Sequence, residues 1–121
     1  MLYLTPKRPL YYPHLYLVKA LGTNLYKVGI SRDYEVRLRD LRNFNALPLE
    51  LVAVWYCDGG AVEPVVHQYL KNRGMHAHHE WFKIHGRSLD GCRAFITTAA
   101  KSKPIYTREQ GKLAGWRKLI Y

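Results

Sequence analysis

Five polar side chains between residues 16 and 67 have functional groups that can bind a metal ion, bind an anion or transfer a proton. They are Tyr16, Lys27, Arg37, Glu63 and His67. Hydrolysis of a phosphodiester needs a positioned water, stabilisation of charge on the transferring phosphoryl group and a metal ion that polarises an oxygen. A phenol or an imidazole can position water or move a proton, a cation can bind phosphate, and a carboxylate can hold a divalent ion. These residue types suggest a site for phosphoryl chemistry.

A predicted hairpin and the helix after it would position the first three of these residues. Tyr16 and Lys27 lie eleven residues apart in two strand-like segments, so they can share one face of a sheet if the hairpin pairs suitably. Arg37 falls on the following helix and would lean over that face. Its planar guanidinium can bind two phosphate oxygens at once, which suits a phosphate clamp.

The other two residues lie four positions apart on a second predicted helix. Glu63 falls at the start of that helix, where the N-terminal dipole would favour the ionised carboxylate. A carboxylate with water in the remaining coordination positions suits Mg²⁺ or Mn²⁺ as the cofactor. His67 lies one turn later on the same face, where it could shuttle a proton or orient a phosphate-bound water.

Hydrophobic periodicity predicts the elements that hold these side chains. The predicted strands cover residues 14–20, 26–31, 49–57 and 80–84, and the predicted helices cover residues 34–43, 61–72, 88–100 and 108–119. Ser31 or Asp33 would cap the first helix, and Pro64 would lie in the first turn of the second. The core order β-β-α-β-α-β-α predicts an α/β fold, with a small mixed sheet of three to four strands flanked by helices.

Composition predicts one basic domain that binds a polyanion. The 121 residues are 48% hydrophobic, which suffices for a single core, and 19 Lys and Arg against 9 Asp and Glu give a net charge of +10. DNA or RNA is the expected partner of such a domain. The apolar run at residues 15–18 is too short to cross a bilayer, so no membrane partner is expected. Without a secretory signal, Cys57 and Cys92 are expected to be reduced thiols in the cytoplasm.

The order and spacing of several fragments resemble the core of a GIY-YIG endonuclease. The fragments are LYLV around Tyr16, YKVGIS around Lys27, Arg37 eight residues after Gly29, Glu63 followed by His67, and Glu80-Trp81-Phe82. More narrowly, the chain is similar to the divergent branch that is frequent in phage and prophage proteins, with a Tyr-Lys-Ile-Gly second motif and a Glu-Trp-Phe end. The resemblance implies a nuclease core at residues 14–84, after an extended arm at residues 1–13 and before a basic helical extension at residues 85–121.

The resemblance also implies a role for each matched residue. Glu63 would hold a single Mg²⁺ or Mn²⁺, Tyr16 would activate or orient the attacking water, and Arg37 would stabilise charge on the phosphate. Lys27 stands where the second tyrosine is usual, and an ammonium cannot act as a phenol does, although it can pair with phosphate. His14-Leu15-Tyr16 replaces Gly-Ile-Tyr, a change expected to affect backbone packing only.

DNA contacts are predicted outside the catalytic set as well. The candidates are Lys19, Arg32, Arg39, Arg42, His79, Lys112, Arg117 and Lys118. In the tail the basic residues alternate with aromatic ones, a pattern typical of surfaces that grip phosphates while aromatics pack or stack. The histidines at residues 76, 78 and 79 are too tightly spaced for a structural zinc site and are expected in a polar loop.

Three functional hypotheses remain open at this point. The first is a metal-dependent DNA endonuclease, and the second is a module of the same fold that binds nucleic acid without turnover. A pure binder has no reason to keep a carboxylate such as Glu63 on a basic surface, which favours the enzyme. A weaker third hypothesis is a phage-type protein that modulates a host nucleic-acid enzyme. A homodimer is one arrangement that would allow both strands to be cut.

Overall fold

The computed structural model describes residues 11–43 and 48–110, which form a six-stranded sheet and three helices. The strands are β1 His14–Ala20, β2 Leu25–Ser31, β3 Leu49–Tyr56, β4 His76–His78, β5 Trp81–Lys83 and β6 Tyr106–Thr107, and the helices are α1 Tyr34–Asn43, α2 Gly59–Asn72 and α3 Gly86–Ala100. The predicted α/β class is therefore confirmed.

The sheet differs from the prediction in size and in strand direction. Its order is β4-β5-β2-β1-β3-β6, and every pairing among the described residues is antiparallel. The predicted mixed sheet of three to four strands is wrong on both counts. Strands β2 and β3 do run parallel, but the connection through α1 crosses over β1, so β1 separates them and pairs with both.

The two faces of the sheet carry two separate buried clusters. Helices α2 and α3 cover one face, and the cluster there includes Leu15, Leu17, Val28, Trp55, Val62, Val66, Leu70, Leu89, Cys92 and Ile96. The other face carries Tyr16, Val18, Ala20, Leu49, Leu51, Val54 and Tyr106. Because successive strand residues point to opposite faces, Tyr16 lies on the second face while its neighbours in sequence pack under the helices.

The segment after residue 84 contributes to this core and to the sheet. Helix α3 buries three side chains against the helix-covered face, and Trp55 Nε1 donates a hydrogen bond to Thr97 Oγ1 at 3.1 Å. Strand β6 adds an edge beside β3. Arg93 binds Glu109 through two hydrogen bonds of 2.8 Å, which ties the chain after β6 back to α3. Most of the helix predicted at residues 108–119 lies outside the described residues.

Two other sequence-based expectations can be compared with the described residues. Cys57 and Cys92 are both buried and free, and burial raises the pKa of the Cys92 thiol to about 12. In residues 11–43 and 48–110, no helix is long and apolar enough to cross a membrane.

Candidate functional site

A cleft of about 400 Å³ lies beside the carboxyl end of β2. Its lining residues are Tyr12, Tyr16, Ile30, Ser31, Arg32, Arg37, Glu63 and Glu80. They come from the segment before β1, from strands β1 and β2, from the connection between β2 and α1, from α1, from α2 and from the turn before β5. The fold therefore brings together three of the five predicted catalytic residues, Tyr16, Arg37 and Glu63.

Tyr16 reaches the cleft because the residue opposite it has no side chain. The register pairs Tyr16 with Gly29 and Val18 with Lys27, so Tyr16 and Lys27 lie on the same face of the sheet. A Cβ added at Gly29 would stand 2.5 Å from Cζ of Tyr16, so the phenol ring lies directly over this glycine. Any larger residue at position 29 would displace the ring.

Helix α1 holds Arg37 against the Tyr16 hydroxyl. The Asp33 carboxylate accepts hydrogen bonds from the amides of Glu35 and Val36 at 3.1 and 3.3 Å, so Asp33 caps the helix as predicted. From the first turn of this helix, Arg37 Nε donates a hydrogen bond of 3.3 Å to the Tyr16 oxygen. The terminal nitrogens of the guanidinium have no partner among the described residues and can donate hydrogen bonds to phosphate oxygens.

The surroundings of Tyr16 favour the protonated phenol. Burial raises the pKa of Tyr16, the nearby Glu80 and Glu63 carboxylates act in the same direction, and the Arg37 guanidinium opposes them. The hydrogen bond to Tyr16 in turn raises the pKa of Arg37. The phenol oxygen accepts from Arg37, so its own proton can be donated to a group in the cleft.

Glu63 lies deeper in α2 than the sequence suggests. The helix begins at Gly59, so Glu63 is past the first turn, and Pro64 lies inside the helix and not in the first turn as predicted. The expected dipole stabilisation of the carboxylate is therefore wrong, since that effect is confined to the first turn. Burial instead raises the pKa of Glu63, and Glu80 adds to the increase, while His67, Lys27 and Arg37 act against it.

His67 supports Glu63 from a position outside the cleft lining. Its Nε2 donates a hydrogen bond to the Val28 carbonyl at 2.9 Å and lies 3.9 Å from Glu63 Oε2. Its ring also packs near Phe82, with the ring centroids 5.2 Å apart. This placement joins α2 to β2 beside Glu63 and suits an anchoring role better than a proton shuttle.

Lys27 is held by Glu80 and does not reach into the cleft. The Lys27 ammonium forms a short ion pair with the Glu80 carboxylate and lies 6.0 Å from the centroid of the Trp81 ring. Lys27 is only 7% exposed. Although burial acts to raise the pKa of Glu80, the hydrogen bond and charge of Lys27 hold it below its ordinary value.

Sequence reasoning left Glu80 and Tyr12 out of the site. Glu80 appeared only as the first letter of Glu80-Trp81-Phe82, and its partner Lys27 lies 53 residues earlier in the chain. Tyr12 lines the cleft because its carbonyl accepts a hydrogen bond of 2.8 Å from the Gly59 amide. No sequence signal indicates that pairing, since it depends on where α2 begins.

The predicted DNA-binding residues lie in different parts of the fold. Arg32 lines the cleft, and Arg39 is exposed on α1. Lys19 lies on the opposite face from Tyr16, beside Tyr26, so the sheet does not bring it to the cleft. His79 is exposed in the turn between β4 and β5, with a φ of 53°. The side chain of Arg42 and all of Lys112, Arg117 and Lys118 lie outside the described residues.

The cleft offers a cation oxygen ligands and not a set of several protein ligands. Across the described ranges, 11–43 and 48–110, no group of three or more His, Cys, Asp or Glu could hold a metal ion. Two carboxylates line the cleft, and because Glu80 is engaged by Lys27, Glu63 is the one that a cation would meet. A single carboxylate completed by water fits Mg²⁺ or Mn²⁺ and does not fit a structural zinc site.

Comparison with known proteins identifies the family. The family model of the T5orf172 domain matches residues 13–97. The chain belongs to the T5orf172 domain family. This phage-associated family has an endonuclease-like fold, which indicates a nuclease-like or nucleic-acid-binding module. The T5orf172 match includes every residue that lines the cleft except Tyr12. Searches of curated proteins and of solved structures gave no match.

Proposed function

We propose that this T5orf172 protein is a GIY-YIG-type endonuclease that hydrolyses phosphodiester bonds in DNA with Mg²⁺ or Mn²⁺. The observation that carries the proposal is the cleft that collects Tyr16, Arg37 and Glu63 from three different elements. A phenol, a guanidinium and a carboxylate around one cavity match the needs of phosphoryl transfer for water positioning, charge stabilisation and metal binding. The net charge of +10 supports a polyanionic substrate.

Tyr16 and Arg37 would act as a pair on the scissile phosphate and the attacking water. Arg37 Nε is occupied by the Tyr16 oxygen, so the terminal nitrogens of the guanidinium would bind phosphate oxygens. The raised pKa of Tyr16 keeps its hydroxyl protonated at neutral pH. Tyr16 would therefore orient the water by a hydrogen bond, and a phosphate oxygen or bulk water would receive the proton that the attacking water loses.

Glu63 would hold the divalent ion, which supplies Lewis-acid stabilisation of charge on the phosphoryl group when bound. His67 fixes the helix that carries Glu63 by its hydrogen bond to the Val28 carbonyl. Bringing a cation near Glu63 would lower the pKa of its carboxylate, against the effect of burial. Binding of the ion and ionisation of Glu63 would therefore reinforce each other.

The test compares two variants that each remove one negative charge. Glu63→Gln changes the cleft, whereas Asp90→Asn changes an exposed carboxylate on α3. Supercoiled plasmid is incubated with Mg²⁺ or Mn²⁺ and, separately, with EDTA. We expect the wild type and Asp90→Asn to cut, Glu63→Gln to be slower by at least about a hundredfold, and EDTA to abolish cutting. A folded wild type that leaves the plasmid intact with both ions would overturn the proposed activity.

One observation favours a second function, a nucleic-acid-binding module without turnover. Lys27 replaces the usual second tyrosine, and Glu80 holds it away from the cleft lining. Of the two tyrosines that are usual on the hairpin strands, the cleft therefore contains only Tyr16. Retardation of DNA on a gel by a wild type that does not cut would favour this binding module.

A further inference from the structure

Two tyrosines and an arginine form an aromatic rim at the mouth of the cleft. Tyr11 and Tyr12 pack edge to face with ring centroids 4.6 Å apart, and the Arg32 guanidinium carbon lies 4.7 Å from the Tyr11 ring centroid. Tyr12 and Arg32 line the cleft itself. Tyr11 is 62% exposed, so much of this ring remains open to a ligand.

The segment from the end of β3 to the start of α2 holds the backbone beside this rim. The amides of Gly59 and Cys57 donate hydrogen bonds to the carbonyls of Tyr12 and Pro13 at 2.8 and 2.9 Å. A Cβ added at Gly59 would stand 2.8 Å from the Tyr12 carbonyl oxygen and 2.8 Å from Cγ2 of Ile30. Only glycine allows the chain to approach α2 this closely, so the backbone at Tyr12, next to Tyr11, is held against the domain.

We propose that Tyr11, with Arg32 beside it, is a stacking subsite for one nucleobase next to the phosphate that occupies the cleft. Aromatic rings stack on bases of any sequence, and an arginine in contact with such a ring adds a cation–π contribution while its charge attracts the backbone. Tyr11 differs from Tyr56, the other exposed tyrosine among the described residues, in that its ring lies against Tyr12 and Arg32, which line the cleft.

The subsite indicates which class of DNA the protein would cut. This inference rests on the proposed nuclease function. A base paired within an intact duplex has both of its faces covered by neighbouring bases. A base can stack on Tyr11 only if it is unstacked, as in a single strand, at a strand end or after flipping out of the duplex. The geometry therefore favours DNA with an unstacked nucleotide beside the scissile phosphate.

The experiment measures the contribution of the bases to binding, separately from that of the phosphates. Fluorescein-labelled oligothymidylate of about a dozen nucleotides is compared with an abasic tetrahydrofuran backbone of equal length, by anisotropy in EDTA. Variants are Tyr11→Ala, Tyr11→Trp and the matched control Tyr56→Ala, since Tyr56 is 55% exposed but its ring lies beside His14 and not beside Tyr12 and Arg32 of the rim.

We expect the wild type to prefer the oligothymidylate and Tyr11→Ala to reduce this preference by about tenfold. Tyr11→Trp should retain the preference, and Tyr56→Ala should leave it unchanged. An unaltered ratio in Tyr11→Ala, or no binding of either oligonucleotide by the wild type, would overturn the subsite. A second pair of variants uses the glycines: Gly59→Ala should lower the ratio, whereas Gly60→Ala, whose Cβ would meet only ordinary contacts of 3.7 and 3.9 Å, should not.

The assay distinguishes failure of the subsite from failure of the proposed activity. Without a divalent ion, binding is measured whether or not the protein can cut. A protein that cuts plasmid but shows no effect of Tyr11 keeps the nuclease function and loses the subsite. A protein that does not cut, but whose base preference depends on Tyr11, keeps the subsite as part of a binding module.

Discussion

The hydrogen bond from Arg37 Nε to the Tyr16 oxygen joins helix α1 to the central strand at the cleft. Both side chains line the cleft, and this bond uses neither the terminal nitrogens of the guanidinium nor the proton of the phenol. A lysine at position 37 could keep the positive charge, but its single ammonium cannot bind the phenol and a phosphate with the same fixed geometry. Position 37 therefore needs a planar guanidinium with several nitrogen donors.

Replacing Arg37 by lysine tests that argument. We expect Arg37→Lys to lower the rate of plasmid cutting by about a hundredfold, because the charge is kept while the bidentate contact is lost. Arg39→Lys, an exposed position on the same helix, is the control and should cut at nearly the wild-type rate. Equal activity of both variants would show that charge alone suffices at position 37.

Glu80 affects the cleft through its charge as well as through its ion pair. Its carboxylate raises the pKa of Glu63, in addition to the larger effect of burial. Glu80→Gln removes that charge, so the pKa of Glu63 should fall and the ionised form should persist to lower pH. We expect the acid limb of the pH–rate profile to move to lower pH, measured by plasmid cutting with a fixed metal concentration. Glu35→Gln, exposed on α1, should leave the limb in place, and an unmoved limb in Glu80→Gln would contradict the coupling.

The pairing of β1 with β2 is the element-scale feature on which the site depends. The register places Gly29 opposite Tyr16, and the ring fills the space that a side chain would take. A slip of one residue would turn Tyr16 to the helix-covered face. The close contact at Gly29 therefore couples the register of the hairpin to the position of the phenol.

Gly29→Ala should disturb the phenol and the fold together. Its Cβ would stand 2.5 Å from Cζ of Tyr16, so the ring must move, and we expect a loss of about 1–3 kcal/mol in the free energy of unfolding. Urea denaturation measures this loss, and plasmid cutting should fall with it. Gly86→Ala is the matched control because its Cβ would meet nothing within 4 Å. Equal stability of the two variants would contradict the close contact.

Sequence patterns identified the long elements and the short strand β5 but missed β4 and β6. The predicted β1, β3, α1 and α3 agree with the structure to within about two residues, because seven or more residues give a readable period. Strands β4 and β6 have three and two residues, too few to show alternation. Their hydrogen-bonding partners on β5 and β3 hold them in the sheet, and no local signal reports those partners.

The charge of the whole molecule is expected to govern its affinity for DNA. With a net charge of +10, binding should depend mainly on the release of counterions from phosphates. We expect affinity for a duplex in EDTA to fall by about a thousandfold between roughly 50 and 200 mM salt, if about six phosphates are contacted. Anisotropy titrations at several salt concentrations measure the slope. A flat salt dependence would contradict a phosphate-dominated interface and with it the role given to the basic residues.

The sequence alone determined which functional groups this protein has, how basic it is and which long segments form strands and helices, because those follow from residue type and local periodicity. It placed Tyr16, Arg37 and Glu63 together by resemblance. The tertiary structure decided that Glu80 binds Lys27, which lies 53 residues earlier in the chain. It also decided that His67 anchors α2 and that Tyr12 lines the cleft. These contacts depend on strand order and on the point where α2 begins. Such features are set by the packing of distant segments, which local patterns in the chain do not encode.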